Sequence, residues 1–266
     1  MDKKGRVLIK LGGGLITNKR KLKTLDKAAI DKVCKTIFEI KNEGYIPILV
    51  HGAGSYGHIL AKDLDIAGGI NKSRVEEQLM AVKEIRKNML ELNREIISSL
   101  KDNSIDAKGF APSKWATGAG MDFSGDMTIF ERGIDDPIPI CFGDVVDRKD
   151  SFQFGILSGD DLMCRISIEI PNIDYSIFLL GDVGGVLDLP PHNKDTRIME
   201  TWSNDDPIIT YHETKIDVTG GINLKLNRAS IISKFVEEVW FIDGRKPDRI
   251  LELIRKGTTI GTKIIP

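Results

Sequence analysis

Residues 45–58 read YIPILVHGAGSYGH, an apolar run that breaks into Gly52, Gly54 and Gly57 and is bracketed by His51 and His58. A short apolar segment bounded by glycine reads as a buried strand. A bare backbone loop at its carboxyl end reads as a place where something approaches the chain closely. The pattern recurs on either side. Val7 to Leu11 (VLIKL) is a β-rich run ending in Gly12-Gly13-Gly14, and residues 26–43 carry Ile30, Val33, Ile37, Phe38 and Ile40 at helical spacing before Gly44 closes them. A longer helical pattern follows from about Ser73 to Leu100. The order strand, helix, strand, helix predicts an α/β fold, a three-layer αβα sandwich around a largely parallel sheet.

The alternation resumes with IPICF (138–142), a helix predicted over 160–170, YSIFLL (175–180), a helix over about 224–235, and EVWFID (238–243). One sheet is therefore expected to run through the whole chain. Between Lys108 and Gly133 the period is lost in GFAPSKWATGAGMDFSG, which predicts a hairpin or cap. The prolines of LDLPPHNKD (187–195) mark a surface excursion, and GTTIGTKI (257–264) resembles a small terminal strand pair.

With 266 residues, 41% apolar and 29% charged, and a formal charge of −1, the chain holds a large core and is neither disordered nor a general polyanion binder, so no nucleic-acid partner is expected. Cys34, Cys141 and Cys164 are far apart and odd in number, which reads as reduced core thiols in a cytoplasmic protein. No Cys or His spacing suits zinc, and no metal-binding residues are assigned. No apolar run approaches the about 18 residues that span a bilayer, so no membrane association is expected.

Gly52-Ala53-Gly54-Ser55-Tyr56-Gly57 satisfies G-x-G-x-x-G, but a dinucleotide fold also expects an acidic residue at the tip of the next strand. Here Glu76 and Glu77 fall in a helical pattern. The loop is instead one of several alike, each following an apolar strand: Gly12 to Gly14 with Lys19 beyond, residues 51–58, Gly143-Asp144, Ser158-Gly159-Asp160-Asp161, and Asp217-Val218-Thr219-Gly220-Gly221 with Lys225. The carboxyl ends of parallel strands lie along one edge, where glycine backbones and helix N-termini bind anions. Several such loops imply a polyphosphate-sized ligand. Lys10 interrupts an apolar strand just before the glycines. Lys10, Lys19 and Lys225, each tied to a glycine turn, suit electrostatic stabilisation of a phosphate in transfer. No Walker A motif is present, so the phosphate chemistry needs another scaffold.

KLGGGLITNK, HGAGSYGH, GDVV, SGDD, a DV-x-GV turn and DVTGG-x-x-x-K, in that order, resemble the amino acid kinase superfamily, and within it most closely the archaeal-type isopentenyl phosphate kinases. The resemblance runs from Val7 to about Gly261. It implies one domain over 1–266, with an acceptor-binding lobe over about 1–150 and a nucleotide-binding lobe over about 151–266. It implies that Lys10, Lys19 and Lys225 bind ATP phosphates and the group in flight, that Asp160 holds the lysines, and that His58 donates to the acceptor's phosphate. Gly52, Ala53, Gly54, Gly57 and Gly159 would cradle that phosphate. Gly12, Gly13, Gly14, Gly181, Asp182, Gly185, Gly220 and Gly221 would line the nucleotide side. ATP with Mg2+ and a small phosphorylated acceptor are the implied ligands, and a homodimer the implied assembly.

Two departures stand out: Gly14 where the family usually has serine, and GDVGGV (181–186) where it usually has TDVDGV. A phosphomonoester is mostly dianionic at pH 7 and needs no general base, so a site of cations and amides suits it better than an alcohol. A phosphonate acceptor of the fosfomycin type, or a non-catalytic nucleotide or oxyanion binder on the same fold, are the alternatives. The stripe Val75, Leu79, Val82, Ile85, Met89 and Leu92 reads as core that also lines a pocket for the acceptor's tail, with Phe110, Trp115 and Phe123 as candidates to close it.

Overall fold

The computed structural model describes residues 4–18, 21–206 and 221–266. The first half supplies β1 (Arg6–Leu11), α1 (Gly13–Ile16), α2 (Lys27–Asn42), β2 (Ile46–His51), α3 (His58–Asp63), α4 (Val75–Asp102) and β3 (Ala107–Gly109). A short α5 (Pro112–Trp115) precedes the β4 (Ala116–Thr117) and β5 (Ser124–Gly125) hairpin, then β6 (Ile138–Phe142), β7 (Asp144–Asp147) and β8 (Phe154–Leu157). The second half adds α6 (Gly159–Glu169), β9 (Ile173–Leu180), β10 (Thr201–Trp202), α7 (Gly221–Ile232), β11 (Glu238–Asp243), α8 (Arg249–Lys256) and β12 (Gly261–Ile264).

Eight strands form the central sheet in the order β10-β12-β11-β9-β1-β2-β6-β3, parallel except where β12 runs against β11. Val7 to Leu11 are all buried because β1 lies mid-sheet and is covered on both faces, which is why it reads as a continuous apolar run. Val7, Ile9 and Leu11 face a core built with α2, α4 and α8. Leu8 faces the opposite core, with Leu162 and Met163 of α6 and Leu226 and Ala229 of α7. Asp26 caps α2 by accepting from the Ala29 N–H at 3.0 Å, and Gly44 leaves it at φ +90.

The chain steps from β1 to β2 on one side and later from β9 to β11 on the other. The direction of winding thus reverses between β1 and β9, where such sheets open a crevice at their carboxyl ends.

One expectation is corrected here. The main sheet does not account for every strand: β5, β4, β7 and β8 form a second, four-stranded sheet. Gly143-Asp144, read as a loop after β6, is the hinge into β7. Asp144 to Val146 are buried, a register too short and too flanked by turns for periodicity to reveal. The segment 109–125 does contain the expected hairpin, β4 with β5, packed beside β7.

Candidate active site

The carboxyl ends of β1, β2, β6 and β9 border one cleft of about 350 Å³. Its wall includes Gly12–Gly14, Gly52–Gly54 with Gly57, Gly159, and Gly181 with Asp182, so loops far apart in sequence meet there. They meet backbone to backbone. A Cβ on Gly13 would lie 2.4 Å from the Gly54 nitrogen, and one on Gly12 would lie 2.7 Å from the Leu179 carbonyl oxygen.

Lys10 projects from β1 on the α6 side. It is 5% exposed, with its Nζ 5.9 Å from the centre of the Phe178 ring. A buried ammonium is costly unless paired, and here Nζ donates to a carboxylate oxygen of Asp160. The other Asp160 oxygen lies 3.6 Å from Nζ of Lys225, which reaches over from α7 and also donates to the Gly221 carbonyl at 3.2 Å. One carboxylate thus serves two ammonium groups. Asp160 is held in turn: Ser158 caps α6, its Oγ accepting from the Asp160 N–H at 3.1 Å. Gly159 makes room, since a Cβ there would meet the Lys10 Cε at 3.3 Å. Gly159 and Asp160 put the positive end of α6 on the cleft.

His58 opens α3 and is half-buried on the cleft wall. Beyond it the lining turns apolar, with Ile59, Ala61, Ile85, Val145 and Ile156. Asp144 also reaches the cleft. Its carboxylate accepts from the Ser113 N–H at 3.0 Å and from its own neighbour Val145 at 2.8 Å, yet burial pushes its pKa upward. His51 is a brace. Its Nδ1 is 3.1 Å from the Gly52 carbonyl, its Nε2 is 3.2 Å from Asn93 Nδ2, and its ring stacks on Phe142 at 4.9 Å. Donation from Nδ1 and acceptance at Nε2 fit a neutral ring, and burial lowers its pKa to about 4.

Of the residues singled out from sequence, the cleft brings together Lys10, Gly12, Gly13, Gly14, Gly52, Ala53, Gly54, Gly57, His58, Gly159, Asp160, Gly181, Asp182 and Lys225. Gly221, at φ +57, lies on α7 one turn before Lys225. Gly185 stands off the cleft, where a Cβ would meet Thr262 Oγ1 at 2.6 Å and Ile198 at 2.8 Å. Lys19 and Gly220 lie outside the described residues. The aromatic closure is corrected: Trp115 packs edge-on against Phe123 and Phe130, and Phe110 against Phe130, in a cluster that does not line the cleft. In the α4 stripe Val82, Met89 and Leu92 are buried core, Leu79 is exposed, and Ile85 lines the apolar part of the cleft.

Some residues carry a role that the sequence did not assign, although Asp144, Ser158 and Asp161 stand in the loops quoted above. Ser158 was findable as a Ser two positions before an acidic helix start. Thr17, Asp144 and the Asp161–Arg228 pair joining α6 to α7 at 2.7 Å were not, because only tertiary packing brings their partners to them.

A model of the amino acid kinase family matches residues 5–238. A curated isopentenyl phosphate kinase of Thermoplasma acidophilum is 28% identical over 260 residues, spanning 97% of this chain and 99% of that one. The crystal structure of the T. acidophilum isopentenyl phosphate kinase product complex superposes with a TM-score of 0.79 at 27% identity, covering 97% of this chain and 99% of the other. Carbamate kinase from Giardia lamblia bound to AMP-PNP shares the fold, with a TM-score of 0.64 at 14% identity over 100% of this chain and 99% of that one.

Proposed function

The chain belongs to the amino acid kinase family, and from that premise we propose that it transfers the γ-phosphoryl group of ATP to a small alkyl monophosphate, isopentenyl phosphate, giving isopentenyl diphosphate. The observation that carries this is the one cleft lined by buried Lys10 and Asp160, half-buried Lys225 and His58, with an apolar recess beside His58. A dianionic acceptor and ATP repel each other. The chemical problem is therefore neutralisation and alignment rather than proton removal.

In this reading Lys10 and Lys225 offset the charge that builds between the reactants, and Asp160 keeps both ammonium groups aimed at that space. The α6 N-terminus adds its dipole. Backbone amides of residues 52–57 and the His58 ring hold the acceptor's phosphate, while Ile59, Ala61, Ile85, Val145 and Ile156 exclude water from its hydrocarbon tail. The acceptor lobe is about 1–150 and the nucleotide lobe about 151–266, with Gly12–Gly14, Gly181, Asp182 and Gly221 toward ATP. Lys19 and Gly220 complete the proposed nucleotide set. Among the described residues no group of three His, Cys, Asp or Glu side chains is placed to hold a metal, and the Asp160 carboxylate is committed to lysines. Mg2+ would enter with the nucleotide and supply neutralisation of phosphate charge. Among the described residues no helix is long and apolar enough to cross a membrane. A cytoplasmic setting, in keeping with three free buried thiols, and a homodimer belong to the proposal.

Coupled ADP release with isopentenyl phosphate and with a phosphonate tests the acceptor. The expected outcome is a preference for isopentenyl phosphate in kcat/KM, loss of kcat by on the order of 100-fold or more in Lys10→Ala, and a raised acceptor KM in His58→Ala. Preference for the phosphonate overturns the acceptor, and turnover indifferent to both substitutions overturns the site.

A further inference from the structure

We propose that Thr17 is a positioning residue for the transfer: its hydroxyl clamps the glycine turn after β1 to the glycine loop after β2, and so fixes the separation of the two phosphates. The inference rests on the reading above, that these loops hold donor and acceptor.

Thr17 ends α1, is 3% exposed and does not line the cleft. Its Oγ1 donates to the Gly13 carbonyl at 2.8 Å and accepts from the Ser55 N–H at 2.9 Å. One oxygen thus joins both loops. There is no slack at the junction. Gly54 sits at φ +48, and a Cβ there would fall 2.0 Å from Thr17 Oγ1 and 2.6 Å from the Gly13 carbonyl oxygen.

A second set of bonds converges on the same place. Thr17 pairs across to Leu25 as an isolated bridge. Just before Leu25, the Lys23 N–H donates to the Ser55 carbonyl at 3.4 Å and the Thr24 N–H to the Ser55 Oγ at 3.3 Å. Lys23 Nζ then reaches Glu91 on α4 at 2.6 Å. The N–H, carbonyl and hydroxyl of Ser55 are therefore bonded to Thr17, Lys23 and Thr24 respectively.

Removing the hydroxyl leaves the buried Ser55 N–H without its acceptor, so the loops must part or admit water. Misplacement of reacting groups by about 1 Å costs on the order of 100-fold in rate. The backbone groups within each glycine loop are kept, so the loss falls on the alignment of the two loops more than on the binding of either reactant.

The test compares Thr17→Val and Thr17→Ser with the wild type in steady-state assays varying ATP and isopentenyl phosphate, each normalised to folded protein by thermal melt. The expected result for T17V is a kcat lower by about 10- to 100-fold with both KM values within about 3-fold, and recovery in T17S, which keeps the hydroxyl. If T17V does not fold, Thr17→Ala carries the same prediction in a smaller side chain. Wild-type kcat per folded molecule in the hydroxyl-less variant overturns the clamp, as does T17S as impaired as T17V. A wild type that releases no ADP refutes the function itself; an active wild type with an indifferent T17V refutes only the clamp.

Discussion

Lys10 and Asp160 occupy positions where the packing would accept apolar side chains: 5% and 1% exposed, on a central strand and the first turn of a helix against it. Buried ion pairs are often no more stabilising than a hydrophobic replacement of similar size. Retaining one here is better explained by chemistry than by folding. Lys10→Met with Asp160→Asn should accordingly unfold within about 1 kcal/mol of the wild type in urea while losing its transfer activity; a collapse in stability with activity retained would contradict this role. His51 gives a pH signature. The folded ring stays neutral down to about 4, whereas the unfolded one takes up a proton near 6.5. Between those values the unfolded state binds more protons, so the stability His51 contributes is fully present above pH 6.5 and falls as pH drops toward 4. The stability advantage of wild type over His51→Gln should shrink by about 3 kcal/mol from pH 7 to pH 4, and a constant difference would rule this out. Lys10 was legible because a lysine inside VLIKL breaks the apolar pattern. Thr17 was not, because nothing in LITNK distinguishes a clamp from a surface threonine.

Elements were legible where their signals are local. IPICF lies on β6 over 138–142 as expected, and α4 spans Val75–Asp102 against an expected 73–100. The expected helix over 224–235 is α7, described over Gly221–Ile232. The second sheet escaped notice because β4, β5, β7 and β8 are two to four residues long, below the length at which alternation can be read. Elements also carry their own energetics. Asp161 on α6 is 5% exposed in its side chain and pairs with Arg228 on α7, though burial still drives its pKa upward. Arg228→Met should cost about 3 kcal/mol in urea unfolding, by leaving Asp161 buried without its cation; a change under about 0.5 kcal/mol would show the pair to be incidental. Gly13→Ala presses a methyl group against the Gly54 backbone. Since neither side of that contact is a flexible side chain, the expected outcome is a large loss of transfer activity in protein that still folds.

At the scale of the whole molecule, a reversal of winding between β1 and β9 gathers the ends of β1, β2, β6 and β9 into one crevice. Glycine backbones fill the narrow places, and cations reach in from two different layers of the sandwich. The glycine-ended strands made that convergence legible, since parallel strands must end along one edge. The apolar wall of the cleft, proposed to hold the acceptor's tail, was only partly legible, because Val145 and Ile156 come from the unforeseen small sheet. The most direct measurement is phosphorus NMR of the purified protein with ATP, Mg2+ and isopentenyl phosphate. The account predicts that the monophosphate signal is replaced by the two coupled signals of isopentenyl diphosphate, with one ADP formed per product. ATP consumed to ADP and inorganic phosphate with the monophosphate intact, or no consumption at all, would contradict it.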